Sequence, residues 1–148
     1  MKVINAIQIH FPGISENERI ARAVVSAFLV QIDPTVEELA DIRTAVSEAV
    51  TNAIVHGYRE TSGHVTIHIK LLENREVYLR IKDKGCGIED ISKAMEPLFT
   101  TAPEDERAGL GFAVMKSFMD KLQVRSKPGE GTTVTMRKKL GEPLCRNQ

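Results

Sequence analysis

Residues 64–82 read HVTIHIKLLENREVYLRIK, and two runs of alternating apolar and polar residues in this stretch predict a β-hairpin. Valine, isoleucine or leucine recurs at every second position in residues 65–71 and again in residues 77–81. The link 73–75 between the runs is short enough for a hairpin connection. Each strand therefore has one apolar face, which another layer of the fold must cover.

Two amphipathic helices that precede the hairpin are candidates for that layer. After a predicted strand at residues 3–11, Ser15 with Glu18 and Thr35 with Glu38 each have the form of a capping box, which marks a helix start. Asp33-Pro34 ends the first helix and Gly57 the second. The first apolar stripe contains Ile20, Val24, Phe28 and Ile32, widened by Ala21, Val25 and Leu29; the second contains Leu39, Ile42, Val46, Ala49, Val50 and Ala53.

The C-terminal half adds a short helix within residues 89–96, a helix from Leu110 to Met119, and strands around 122–126 and 132–138. Strands joined mainly by hairpins predict a mixed, mainly antiparallel sheet, and single-striped helices predict cover on one face. The expected fold class is an α/β (α+β) two-layer sandwich. One domain is predicted over residues 1–140, with a loosely ordered tail at 141–148.

The composition limits the function classes. The chain has 148 residues, 42% hydrophobic, and its 20 Lys+Arg balance its 20 Asp+Glu. This balance argues against direct nucleic acid binding, which usually requires a basic surplus. No apolar run reaches membrane-spanning length and the N-terminus lacks the pattern of a signal peptide, so no membrane association is expected. Two cysteines suggest a reducing compartment, and we expect the protein to be cytoplasmic.

Glu48 and Asn52 form the first candidate site. They lie four residues apart on the second predicted helix and are therefore neighbours at the border of its apolar face. A carboxylate there can take a proton from an attacking hydroxyl, and an amide oxygen one turn away suits a hard cation such as Mg²⁺. The alternative is a solvent-exposed polar edge without a role.

Asp83 and two glycines form the second candidate. Asp83 continues the inward parity of Val77, Leu79 and Ile81, and Gly85 and Gly87 follow it. A buried carboxylate needs donors, and the exocyclic amine of adenine is one. Glycines let the backbone pass close to a flat base. The alternative is an ordinary turn in which Asp83 points to water.

A third group precedes the fourth predicted helix. Gly109-Leu110-Gly111 at a helix start can direct amides at phosphate, or can be a simple hinge. The polar segment 97–108, with Thr100, Thr101 and Arg107, is predicted to close over a nucleotide. At the last strand, the threonine hydroxyls of Gly131-Thr132-Thr133, Thr133 among them, are predicted to contact the base through water, unless they only favour a β conformation.

Taken in order, Glu48…Asn52, Asp83-x-Gly85-x-Gly87, Gly109-x-Gly111 and Gly131-Thr132-Thr133 resemble the N, G1, G2 and G3 boxes of the gyrase/Hsp90/histidine-kinase/MutL ATPase superfamily. The resemblance covers about residues 35–138 and implies the Bergerat ATP-binding fold. It implies that Glu48 is the general base, Asn52 the Mg²⁺ ligand and Asp83 the adenine-reading carboxylate. The four glycines would then form the loop under the base and the lid hinge at the phosphates.

The segments SEAVTNAIVHGY (47–58) and EPLFTT (96–101) resemble the anti-sigma F factor family of serine kinases. This resemblance implies an ATP- or ADP-bound homodimer that sequesters a sporulation sigma factor and phosphorylates an anti-anti-sigma factor. A protein interface is then needed outside the ATP pocket, and we expect Arg22 on the first helix to belong to it. A histidine-kinase-type catalytic domain and an ATP-gated binding module without transfer activity are the alternatives.

Overall fold

The computed structural model describes residues 1–58, 63–96 and 111–142. The strands are β1 (Val3–Pro12), β2 (His64–Leu72), β3 (Glu76–Asp83), β4 (Lys121–Lys127) and β5 (Gly131–Lys139). The helices are α1 (Glu16–Leu29), α2 (Val36–Asn52), α3 (Ile91–Ala94) and α4 (Gly111–Phe118). None of the helices in these three ranges is long and apolar enough to cross a bilayer.

The five strands form a single sheet in the order β1-β2-β3-β5-β4, and every pairing is antiparallel. The predicted hairpin is confirmed, since Ile67 of β2 lies opposite Ile81 of β3. Its link turns through Asn74 and Arg75, both with left-handed φ angles of 64° and 61°. The prediction of a two-layer α/β sandwich is confirmed.

The core lies between one face of the sheet and the helix α2. The inward residues of the hairpin strands are almost completely buried, as are Ile42, Val46 and Val50 of α2. Burying each of these large side chains contributes about 1.5–3 kcal/mol. Helix α2 also packs against α1 and α4, so it is fixed from three sides. The residues at its C-terminal end therefore have well-defined positions relative to the strand ends.

The buried face of α1 agrees with the sequence prediction at Phe28 and the widening residues but differs from it at Ile20. Ala21, Val25, Phe28 and Leu29 are buried, whereas Ile20 is 59% exposed. The stripes 20/24/28 and 21/25/29 are adjacent on one helix, and both are apolar, so periodicity alone does not choose between them. Packing against α2 and β1 buries the whole second stripe and, of the first, Phe28.

The predicted capping box at the start of α1 is wrong. Ser15 has helical backbone angles and its side chain makes no capping hydrogen bond. Glu18 instead accepts a hydrogen bond from Ser47 Oγ at 2.5 Å and pairs with Arg22, whose Nε lies 3.5 Å from Glu18 Oε1. Contacts with α2 and along α1 thus replace the local cap.

The second capping box, at the start of α2, is confirmed. Thr35 Oγ1 accepts from the Glu38 amide at 3.0 Å, and Glu38 Oε1 accepts from the Thr35 amide at 2.9 Å. Glu38 Oε2 also accepts from the Gly141 amide, and Arg75 Nε donates to the Gly141 carbonyl. Burial raises the pKa of Glu38, but the hydrogen bonds from Thr35 and Gly141 outweigh it and lower the pKa. Gly141 is thus tied to the domain, and residues 143–148 of the predicted tail lie outside the described residues.

Tyr58 is expected to stabilise the junction between α2 and the hairpin. Its buried hydroxyl donates to the His64 carbonyl at 2.7 Å and accepts from the Lys84 amide at 2.7 Å. Tyr58→Phe should lower the free energy of unfolding by about 1–3 kcal/mol, because two backbone groups lose their partner. Urea denaturation measures this loss, with Tyr78→Phe on the exposed sheet face as the matched control. An equal loss in the two variants would contradict the bridging role.

Candidate functional site

A cleft opens between the C-terminal end of α2, the ends of β3 and β5, and the start of α4. Most of its wall is apolar, with Ile81, Ile88, Phe112 and Val134 among the lining residues. A cleft with a mostly apolar wall suits a small organic ligand, for which a few polar groups set the orientation. The polar groups that line the cleft are therefore its informative part.

Asp83 supplies a carboxylate at the base of the cleft. It ends the inward-facing row of β3, as predicted from its parity, and is 6% exposed. Its Oδ1 accepts a hydrogen bond from the Gly85 amide at 2.8 Å. Burial raises the pKa of Asp83, although hydrogen bonds from the backbone of Gly85 and Thr132 partly offset this effect. The carboxylate has further acceptor capacity, so it suits a ligand that donates a hydrogen bond.

Glycines make room around Asp83. A Cβ on Gly57 would lie 2.9 Å from Asp83 Oδ1, and one on Gly85 would lie 1.9 Å from the Gly57 carbonyl oxygen. The loop after β3 therefore packs directly on the backbone at the end of α2, and the Cys86 amide donates to the Gly57 carbonyl at 2.8 Å. Gly87 lines the cleft with a φ of 76°, which favours glycine.

Gly57 is a site residue that the sequence analysis missed. Its sequence context indicates only the end of a helix, because its contact with Asp83 joins residues distant in the sequence. The structure continues α2 into a π-helical turn, Ala53–Gly57, which carries the chain into this contact. π-Helical turns occur frequently at functional sites.

Asn52 is the last residue of α2 and lines the same cleft. Its Oδ1 is buried and accepts no hydrogen bond from the described residues. A Cβ on Gly111 would lie 2.7 Å from Asn52 Nδ2, so glycine at the start of α4 permits this close approach. A buried amide oxygen without a donor costs free energy unless a ligand satisfies it. Amide oxygens are ligands for hard cations, and the site therefore fits Mg²⁺.

Glu48 lies one turn before Asn52 and lines a different groove. This groove runs along α1 and α2, and Arg22, Arg43, Ser47 and Glu48 line it together with Ala40 and Thr44. Arg22 and Glu48, which the sequence indicated for separate reasons, thus share one surface. Because Glu48 lines the groove and Asn52 lines the cleft, the groove and the cleft adjoin neighbouring turns of α2.

The structure corrects one predicted position and leaves others undescribed. Thr132 lines the cleft, where its hydroxyl contacts Ser126 Oγ at 2.8 Å, whereas Thr133 lies on the opposite face of β5 beside Lys82. The prediction of Thr133 was wrong in parity, because successive strand residues point to opposite faces. The predicted residues Thr100, Thr101, Arg107 and Gly109, with the segment 97–108, lie outside the described residues.

Comparison with known proteins identifies the class of the domain. Residues 11–138 match the family model of the histidine kinase-like ATPase domain. The RsbU and RsbW domains of a Mycobacterium tuberculosis protein share the fold with a TM-score of 0.70 at 22% identity, over 94% of this chain and 33% of that one. A histidine kinase domain from Erythrobacter litoralis has a TM-score of 0.56 at 20% identity, over 83% of this chain and 61% of that one.

Curated relatives narrow the class. The chain is 54% identical to the anti-sigma F factor of Thermoanaerobacter sp. (strain X514), over 95% of this chain and 98% of the relative. It is 51% identical to the anti-sigma F factor of Clostridium acetobutylicum, over 92% of this chain and 94% of the relative. It is 50% identical to the anti-sigma F factor of Bacillus licheniformis, over 95% of this chain and 98% of the relative. The chain therefore belongs to the anti-sigma F factor family, with a histidine kinase-like ATPase domain that binds ATP.

Proposed function

We propose that this chain is an ATP-dependent serine kinase and anti-sigma factor, which sequesters a sporulation sigma factor and phosphorylates an anti-anti-sigma factor. One observation carries the proposal. The side chains of Asp83 and Asn52 line one cleft, while Glu48 lies one helical turn before Asn52 in the groove along α1 and α2. We infer a nucleotide side at the cleft and a protein side at the groove, with Glu48 on the protein side as the candidate base.

On the nucleotide side, Asp83 would accept the exocyclic amine of adenine, and Gly85 and Gly87 would let the backbone pass close to the base. Asn52 would hold Mg²⁺, which supplies positive charge to the phosphates when bound. Gly111 gives α4 its close approach to Asn52. We further propose that Thr100, Thr101, Arg107 and Gly109 contribute on the phosphate side, as the resemblance implies.

On the protein side, Glu48 would act as the general base. The serine hydroxyl oxygen of the substrate forms a bond to the γ-phosphorus, and the bond from that phosphorus to the bridging oxygen of ADP breaks. The hydroxyl proton passes to Glu48. A base positioned for this proton transfer typically contributes about 10²–10⁴-fold to the rate.

Transfer of label from ATP tests the proposed reaction. The protein is incubated with γ-labelled ATP and an anti-anti-sigma factor, and the product is treated with acid and with alkali. Acid-stable phosphoserine on the partner is the expected result. Acid-labile phosphohistidine would indicate a histidine-kinase-type domain instead. ATP binding without transfer would indicate an ATP-gated binding module.

We also propose that the protein is a cytoplasmic homodimer. In the described sheet, β1 is an edge strand, and Val3 and Ile4 are 44% and 60% exposed. Unpaired edge strands with exposed apolar residues favour pairing with another chain. Sedimentation equilibrium should give twice the monomer mass of 16.4 kDa, and a monomer at micromolar concentration would contradict the proposed dimer.

Arg22→Glu should weaken sigma-factor binding by about tenfold or more, which corresponds to about 1.4 kcal/mol. The reason is that Arg22 lies in the groove beside Glu48 and would make a charge-assisted contact with an acidic partner group. Calorimetry with the sigma factor measures the loss, and ATP affinity should stay unchanged. Arg19→Glu, an exposed position of α1 outside the groove, is the matched control. If Arg22→Glu binds the sigma factor as tightly as Arg19→Glu does, the interface lies elsewhere.

A further inference from the structure

The face of the sheet that points away from the helices has a strong positive charge. Successive strand residues alternate between the two faces, and eight of the chain's 20 Lys and Arg residues fall on this outer face. Glu76 is the one carboxylate at an outward position of the described strands. The eight cations are Lys70, Arg80, Lys82, Lys121, Arg125, Lys127, Arg137 and Lys139.

Several of these cations are held in place by their neighbours. Tyr78 lies between Lys70 and Arg137 on the adjacent strands, with Lys70 Nζ 5.2 Å and Arg137 Cζ 5.0 Å from the ring centroid. Arg80 contacts the ring of His68 across the β2–β3 pair. Because these side chains are already held in place, they lose less conformational entropy when a ligand binds.

The positive potential has a local effect on His68. Burial lowers the pKa of this imidazole, and the charges of Arg80, Lys70 and Lys82 lower it further. Within the described residues, Arg137 is the one member of the eight with a carboxylate at ion-pair distance, 3.6 Å from Glu76 Oε1. Most of the charge on this face is thus not neutralised by the described part of the chain.

We propose that this outer sheet face binds the phosphate backbone of single-stranded nucleic acid. Thr66, Thr135 and Gln123 lie between the cations of this face as hydrogen-bond groups. Phosphate backbones are bound by such combinations of Lys, Arg, Thr and Gln. The chain's zero net charge does not oppose this site, since the carboxylates lie mainly outside the sheet face.

Two other polyanions fit this face less well. Large exposed apolar side chains are absent from the described outward positions of β2 to β5, so the face has no residues to insert into a lipid interface. At these described positions a protein partner would find only one aromatic anchor, the half-buried Tyr78, which already contacts Lys70 and Arg137. Phosphate contacts need neither, because counterion release provides most of the binding free energy.

A charge-reversal experiment with the full chain tests the proposal. The double variant Lys82→Glu/Arg125→Glu changes two exposed cations that flank Thr133 on the neighbouring strands. The control Arg19→Glu/Lys116→Glu makes the same change in net charge at exposed positions of the helical layer. Binding of a fluorescent oligothymidylate is followed by anisotropy at several salt concentrations, and melting temperatures confirm that all three proteins are folded.

The parent protein and the control should bind with a Kd of about 10⁻⁴–10⁻⁶ M at physiological salt. The sheet variant should bind about tenfold or more weakly, with a salt slope smaller in magnitude by about 1.4, since each phosphate contact contributes about −0.7. Equal weakening of both variants would overturn the proposal, as would absence of binding by the parent. Equal or tighter binding of the parent to polyglutamate, or to phosphatidylserine vesicles, would also overturn it.

Discussion

Glu48→Gln should lower the rate of phosphoryl transfer by about 10²–10⁴-fold, the usual contribution of a general base. ATP affinity should stay within a few-fold of the parent, because Glu48 lines the α1–α2 groove and not the nucleotide cleft. The amide keeps the size of the carboxylate but has little basicity. Single-turnover transfer to the anti-anti-sigma factor measures the rate, and calorimetry measures ATP affinity.

Glu37→Gln is the matched control for this variant. Glu37 is exposed in the first turn of the same helix, far along the chain from Asn52, and its replacement makes the same change in charge. The control should transfer phosphate at the parental rate. A Glu48→Gln variant that phosphorylates its substrate at nearly the parental rate would exclude Glu48 as the base.

Asp83→Asn should weaken ATP binding by about 10–100-fold, since a hydrogen bond to a charged group contributes about 1.5–3 kcal/mol. The preference for adenine over guanine nucleotides should also decrease, because the amide can present a donor where the adenine amine requires an acceptor. Calorimetry with ATP and GTP measures both effects. Unchanged affinity and unchanged base preference would show that the buried carboxylate does not contact the base.

The raised pKa of Asp83 adds a pH dependence to this prediction. Burial moves the pKa above the ordinary value of 3.8, so the carboxylate takes up a proton at higher pH than a solvated aspartate. As the pH is lowered, ATP affinity should therefore begin to fall while the pH is still above 3.8. The Asp83→Asn variant should lack this part of the pH profile. Folding stability should depend on pH in the opposite direction to ATP affinity. The buried carboxylate is less favourable when ionised, so the free energy of unfolding should decrease as pH rises from 3.8 to the raised pKa of Asp83.

Local patterns were sufficient for much of the fold. The alternating residues 64–82 predicted the hairpin, and Thr35 with Glu38 predicted the start of α2, because both depend on neighbours within a few residues. The inward direction of Asp83 also followed from strand parity. The prediction at Thr133 did not follow the same alternation: Val134 and Met136 are buried, so Thr132 shares their face and Thr133 does not.

Net charge is a second property that the sequence alone could not interpret. The balance of 20 basic and 20 acidic residues indicated no nucleic acid partner, yet the fold collects eight of the basic residues on one sheet face. A sum over the chain contains no information on where the charges lie. Strand parity and strand order together decide that distribution.

The sequence by itself determined the two-layer architecture, the family and the chemical types of the site residues. Only the tertiary structure decided that Ala21 and not Ile20 faces the core, that Gly57 packs against Asp83, and that Arg22 and Glu48 share one groove. The physical reason is the range of the interactions. Helix periodicity, strand alternation and capping act over a few residues, whereas these contacts join segments that meet only when α1, α2 and the sheet pack together.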